Sequence, residues 1–227
     1  PSRKSVVWRE FAARTGGTVS RGLRVRWSSG GTEVRLATST DTNRNETTQF
    51  TAGVALRSGF QFHLVQRDAI TKLFFSTHLW DLALAAAAGA RDRRGAPSSA
   101  GVADRLAFMA AKEILIGNPK FDEAFLLKSD TPSLAREFLG DAGVSYCVHE
   151  LDRHSKGWEL SLMSRDGASA YQLALAVPGA MLSPGALAAG WQLMEASIRC
   201  AADRGMLASG NLERAGQRPV VDSAAAA

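Results

Sequence analysis

Cysteine is nearly absent from this chain. Its only two, Cys147 and Cys200, lie far apart and in no CxxC spacing, which excludes a disulfide framework and a zinc knuckle and predicts a reducing cytoplasm. No apolar run reaches the roughly eighteen residues that a bilayer span needs. The nearest, residues 73–90, is broken by His78 and Asp81 and reads as a buried helix. No charged start followed by an apolar core and a small-residue cleavage site occurs, so no signal peptide is visible. Phosphate-binding glycine loops, dinucleotide fingerprints, nucleophile elbows and kinase signatures are also missing, so no cofactor is implied and no residue is assigned a catalytic role.

What is present is an ordinary globular composition. Apolar residues make up 45% of the 227 and charged residues 22%, enough for a sizeable core in one domain or two small ones closely packed. Net charge is +5, and its distribution says more than its sum. Between residues 1 and 26 stand Arg3, Lys4, Arg9, Arg14, Arg21, Arg24 and Arg26 against a single acid, Glu10. Such an excess suits a solvated face, an anionic partner, or the flank of an inner-membrane tether upstream of residue 1.

Helical spacing of Val7, Trp8, Phe11 and Ala12 predicts a first helix closed by Gly16-Gly17. Leu23, Val25 and Trp27 alternate with Arg24 and Arg26, and Val34 and Leu36 alternate with Glu33 and Arg35, across a Gly30-Gly31 turn. This is a hairpin with one buried face. The polar stretch 38–48 reads as a loop, and 50–56 with 60–65 as a second hairpin around Arg57-Ser58-Gly59. Helices are predicted over 70–90 and 102–114, separated by a mobile excursion at 89–101. A short strand within 121–128, a short helix over 133–139 and strands at 144–151, 158–163 and 170–177 follow. Ser183 and Pro184 then open a last helix carrying Leu187, Trp191, Met194 and Ile198 on one stripe. Trp8, Trp27, Trp158 and Trp191 are assigned to the core.

Two stretches, 8–20 and 134–146, share Arg-Glu-Phe, a further helical turn, glycine, and a predicted strand starting with valine. The order of elements after each is alike. The expected fold is therefore α+β: two related halves, each an antiparallel sheet with helices packed on one side, arising by internal duplication. The halves are 1–67 and 116–205, with a helical connection at 68–115 and a flexible tail at 206–227.

Gly117, Phe121, Asp122, Phe125, Lys128, Pro132, Arg136 and Leu139 form a pattern that resembles a widespread bacterial family of uncharacterised proteins. The resemblance covers about two dozen residues well and the rest thinly. It implies a domain often associated with membranes and carries no activity.

Three constellations invite chemistry. Asp122 and Glu123 are adjacent carboxylates, but an extended segment would point them apart, and Asp122 is placed to cap the turn beside Pro119. His149-Glu150-Leu151-Asp152-Arg153-His154 puts its second histidine one residue too late for a zinc-protease helix, so no metal site is assigned. Cys147 and His149 would share a strand face without a third orienting group. The leading expectation is a non-enzymatic interaction or scaffold domain with a protein partner or as a homo-oligomer, docking through Leu187, Trp191, Met194 and Ile198. The alternative is a small-molecule binder or hydrolase with a site between the halves near Asp122, Lys128 and His149. A third reading is nucleic-acid binding through Arg24, Arg26 and Arg35 on one sheet face, within a basic surface that also includes Arg3 and Lys4.

Overall fold

The computed structural model describes residues 2–40, 44–67, 113–164 and 170–208. Among them are five helices, α1 (Arg3–Thr15), α2 (Pro119–Ala124), α3 (Pro132–Leu139), α4 (Ala142–His154) and α5 (Pro184–Asp203). The strands are β1 (Thr18–Ser20), β2 (Arg24–Ser29), β3 (Thr32–Thr40), β4 (Glu46–Ala55), β5 (Phe62–Gln66), β6 (Phe125–Ser129), β7 (Glu159–Ser164) and β8 (Ala170–Pro178). They form one eight-stranded sheet in the order β1-β2-β3-β4-β8-β7-β5-β6, every neighbouring pair antiparallel. The predicted helices over 70–90 and 102–114, the excursion at 89–101, Trp80 and the tail beyond residue 208 lie outside the described residues. Within that tail's first residues, Met206 is buried and Leu207 bridges Leu56.

Local chemistry explains the elements. Ser2 caps α1 at its start, and Gly16, at φ 66°, ends it in the left-handed conformation that glycine adopts without a Cβ clash. Gly30 and Gly31 both have positive φ, as the two-residue turn joining β2 to β3 requires. In β2, Val25, Trp27 and Ser29 are buried while Arg24, Arg26 and Ser28 are exposed. The predicted hairpin is thus present, and so is its one-sided burial.

The α+β class holds, but the two halves do not. β4 does not pair with β5. Its partners are β3 and β8, while β5 lies between β6 and β7. One continuous sheet replaces two, and no duplication is shown. Both ends of the stretch 38–48 are strand, since β3 runs to Thr40 and β4 begins at Glu46. The segment predicted as a strand at 144–151 is helix α4. Asp141 accepts hydrogen bonds from the amides of Gly143 (2.9 Å) and Val144 (3.2 Å) and starts it. From there Val144, Cys147, Val148 and Leu151 are buried at helical spacing. This breaks the apparent repeat, because Gly16-Gly17 leads into a strand whereas Gly140-Asp141 leads into a helix.

All five described helices pack on one face of the sheet. Phe11 of α1 meets Trp27, Phe138 of α3 meets Phe60 and Phe62, and His149 of α4 meets Phe125. Phe121 of α2 lies 4.8 Å from Phe125, centroid to centroid. A Cβ placed on Gly190 of α5 would touch the ring of Phe50 and Leu175. Trp8, Trp27 and Trp158 are core residues, and Trp191 is half-buried against that core. The buried indole of Trp8 donates to the carbonyl of Met181 at 2.9 Å.

Candidate functional site

The opposite face of the sheet carries no described helix. Strand periodicity of two sends alternate side chains there, and the pairing registers align them into a row that crosses seven strands: Arg26, Arg35, Thr51, Ala174, Ser161, His63 and Lys128. At a strand spacing near 4.8 Å the row is about 29 Å long. Its members are exposed or half-buried. The middle is small and uncharged, and charges stand at both ends.

At the β2–β3 end, Arg24 and Arg26 are exposed and Arg35 is held by Glu33 through an ion pair. Beside that pair is a shallow concavity of about 280 Å³, lined by Glu33, Arg35, Thr51, Gly53 and Gln172. It is open and polar, at the lower limit of what a small-molecule pocket usually encloses. At the other end, His63 Nε2 lies 3.1 Å from Glu159 Oε2. That hydrogen bond outweighs burial and holds the Glu159 carboxyl below the usual carboxylate range. Ser161 stands opposite His63 in the register. A serine, an imidazole and a carboxylate therefore share a face, but among the described residues Ser161 makes no hydrogen bond to the ring. Glu159 already engages Nε2.

The residues singled out in sequence are dispersed. Asp122 is spent on structure: its carboxylate accepts from the amides of Ile116 (2.9 Å) and Gly117 (3.0 Å), fastening the turn before α2. His149 packs against Phe121 and Phe125 on the helical side. Lys128 projects from the other side, because Phe125, Leu127 and Ser129 take the inward positions of β6. The sheet itself separates Lys128 from His149. Cys147 and His149 are two apart on a helix, hence about 200° apart around it. Burial pushes the thiols of Cys147 and Cys200 up, which suits packed rather than reactive cysteines. The offset of five between His149 and His154 separates them by about 140° on α4, and no group of metal-ligating side chains occurs among the described residues. Leu187, Met194 and Ile198 are buried in the chain's own core, so the stripe they form is already covered within the fold; Trp191 is half-buried.

The basic residues are placed differently. Arg24, Arg26 and Arg35 share the helix-free face, as their alternation predicts. Arg3 is exposed on α1, and Lys4 is tied to Glu46, whose carboxyl that contact holds low. His63 and Glu159 were not singled out in sequence. The one available signal was that His63 falls out of phase with Phe62 and Leu64; its partner lies 96 residues away. Among the described residues no helix is long and apolar enough to cross a membrane. Comparison with known proteins yields no likeness to build on: no family model, curated protein or solved structure matches the chain.

Proposed function

We propose that this chain is a non-enzymatic interaction domain that presents the sheet face uncovered by any described helix to a protein partner within a larger assembly. One observation carries the reading: a broad face, neutral and small at Thr51, Ala174 and Ser161, is bordered by Arg26, Arg35 and Glu33 at one end and by His63, Glu159 and Lys128 at the other. Depletion of charge at the centre with charge at the rim is one trait of a protein interface; the row has none of the aromatic anchors that such interfaces favour. The alternative of a hydrolase or small-molecule binder loses support because Asp122, Lys128 and His149 do not converge. Base-stacking recognition of nucleic acid loses support because the row offers no Phe, Tyr or Trp. The resemblance of residues 116–139 to an uncharacterised bacterial family adds no activity to weigh against this reading.

The test is a photo-crosslinking residue introduced at Thr51, with a matched one at Tyr146, which is 63% exposed on the helical side. In cells, a discrete adduct from position 51 and none from 146 is expected. Equal adducts from both positions, or none from 51, would overturn the reading.

A further inference from the structure

A second surface, which shares Arg26 with the end of the central row, wraps the β1 edge of the described sheet. α1 packs over β1 and β2 on one side, and Arg24 and Arg26 stand on the other. Six arginines here, Arg3, Arg9, Arg14, Arg21, Arg24 and Arg26, are exposed, and none is ion-paired among the described residues. Elsewhere most cations with a described ion pair are engaged singly, Lys4 with Glu46, Arg35 with Glu33, Arg67 with Glu113, Arg153 with Glu150, Lys156 with Asp152, and Arg204 with Glu137 and Asp141, while the exposed Arg44, Lys120 and Arg199, which have no such pair, are scattered along the chain. The concentration of unpaired charge at one edge therefore calls for an anion from outside.

The rim's apolar side chains indicate which kind. The exposed large apolar side chains among the described residues are Val6, Val19, Leu115 and Tyr146. Two of these four, Val6 at 42% and Val19 at 38% exposure, stand in the arginine rim. Val6 lies between Arg3 and Arg9 on α1, and Val19, which pairs with Val25, points to the same helix side of the edge strand; apolar side chains beside cations gain nothing from a phosphate backbone, but they fit the boundary between lipid headgroups and acyl chains. We infer that the α1–β1–β2 rim docks the domain onto an anionic lipid bilayer.

The 227-residue chain is mixed with vesicles of phosphatidylcholine alone and with vesicles containing phosphatidylserine at about one third, and bound protein is measured by sedimentation. Binding to the anionic vesicles only, weakening as salt is raised, is expected. The triple variant Arg21→Glu, Arg24→Glu, Arg26→Glu should bind at least about a hundredfold more weakly, at roughly fivefold for each arginine. Because these side chains are exposed and unpaired, its melting temperature should match that of the parent. The variant Val19→Ser should weaken vesicle binding about threefold while leaving any binding to duplex DNA or RNA unchanged. Equal binding to both vesicle types overturns the inference, as does no binding to the anionic ones. Tighter binding to nucleic acid than to vesicles at the same salt, lost in the triple variant, assigns the rim to nucleic acid and also overturns it. None of these outcomes bears on crosslinking at Thr51, so the two readings fail separately.

Discussion

Two neighbouring rows of side chains cross the same seven strands and meet opposite fates. On the helix-covered face the row is Trp27, Val34, Ala52, Leu173, Leu162, Phe62 and Ser129, all buried. One residue along each strand, on the other face, it is Arg26, Arg35, Thr51, Ala174, Ser161, His63 and Lys128. The backbone conformation is shared, so the difference lies in what covers each face. The covered row is read by the chain's own helices, and apart from Ser129 its side chains are apolar, most of them large. Among the described residues no helix covers the other row, and its side chains are small, polar or charged.

The largest expected contrast comes from adjacent residues of β4. Phe50 is fully buried, with its ring 6.2 Å from that of Trp27. Phe50→Ala should lower the unfolding free energy by about 3–5 kcal/mol, through lost burial and an unfilled cavity. Thr51→Ala, one residue on and facing the other way, should change it by less than about 0.5 kcal/mol. Denaturant unfolding of both variants checks this, and a large loss at Thr51 would mean that its face is also part of the fold's core.

Glycines give a second pair. A Cβ on Gly190 of α5 would sit 2.9 Å from two atoms of the Phe50 ring, which Trp27 backs from another side. Gly190→Ala should cost about 1–3 kcal/mol from overpacking, reduced by the roughly 1 kcal/mol that alanine contributes to a helix interior. Gly53 on the helix-free face has nothing within 4 Å of such a Cβ. Gly53→Ala should be neutral or stabilising by about 0.5 kcal/mol. If both substitutions behave alike, α5 does not approach β4 as closely as the glycine implies.

How legible this arrangement is in sequence depends on the range of the interaction. The β2–β3 hairpin is fully written in its alternation and its Gly30-Gly31 turn, and the shared face of Arg24, Arg26 and Arg35 follows from it. The start of α5 is written in Ser183-Pro184. Helix α4 is ambiguous, because Val144, Tyr146 and Val148 alternate like a strand while Val144, Val148 and Leu151 repeat like a helix. Asp141 breaks the tie by capping two amides. The pairing of β4 with β8 and the meeting of His63 with Glu159 carry no local signal. They are decided by which sheet edge remains free once the hairpins have formed, a non-local choice.

The capping of α4 makes a third prediction and links the helical layer to pH. Burial would raise the Asp141 carboxyl, but the Val144 amide, Arg204 and the Gly143 amide together hold it below its ordinary value. Asp141→Ala should cost about 1–2 kcal/mol by removing the cap. Asp141→Asn, which can still accept from the amides, should cost less. A group whose folded value is depressed stabilises fully above its unfolded value and loses that contribution as pH falls through the folded one. The difference between parent and Asp141→Ala should therefore be present at neutral pH and shrink on the acid side. A difference that persists unchanged into acid would show that the cap does not depend on charge.

The smallest effect belongs to the helix-free face itself. Glu159 is half exposed, with a side-chain accessibility of 50%, and solvent screens its contact with His63. Glu159→Gln should cost no more than about 0.5–1 kcal/mol at neutral pH. The sign follows as for Asp141: the carboxyl is held low, so the contact stabilises above the ordinary carboxylate range and fades as pH falls through the depressed value. Parent and variant unfolding curves should converge in acid. If Glu159→Gln instead costs several kcal/mol, the His63–Glu159 pair is a buried element of the fold, and the two faces are less different than their side chains suggest. A near-neutral result combined with loss of the Thr51 adduct would place the pair in the partner's footprint, where a carboxylate is kept for recognition and contributes little to stability.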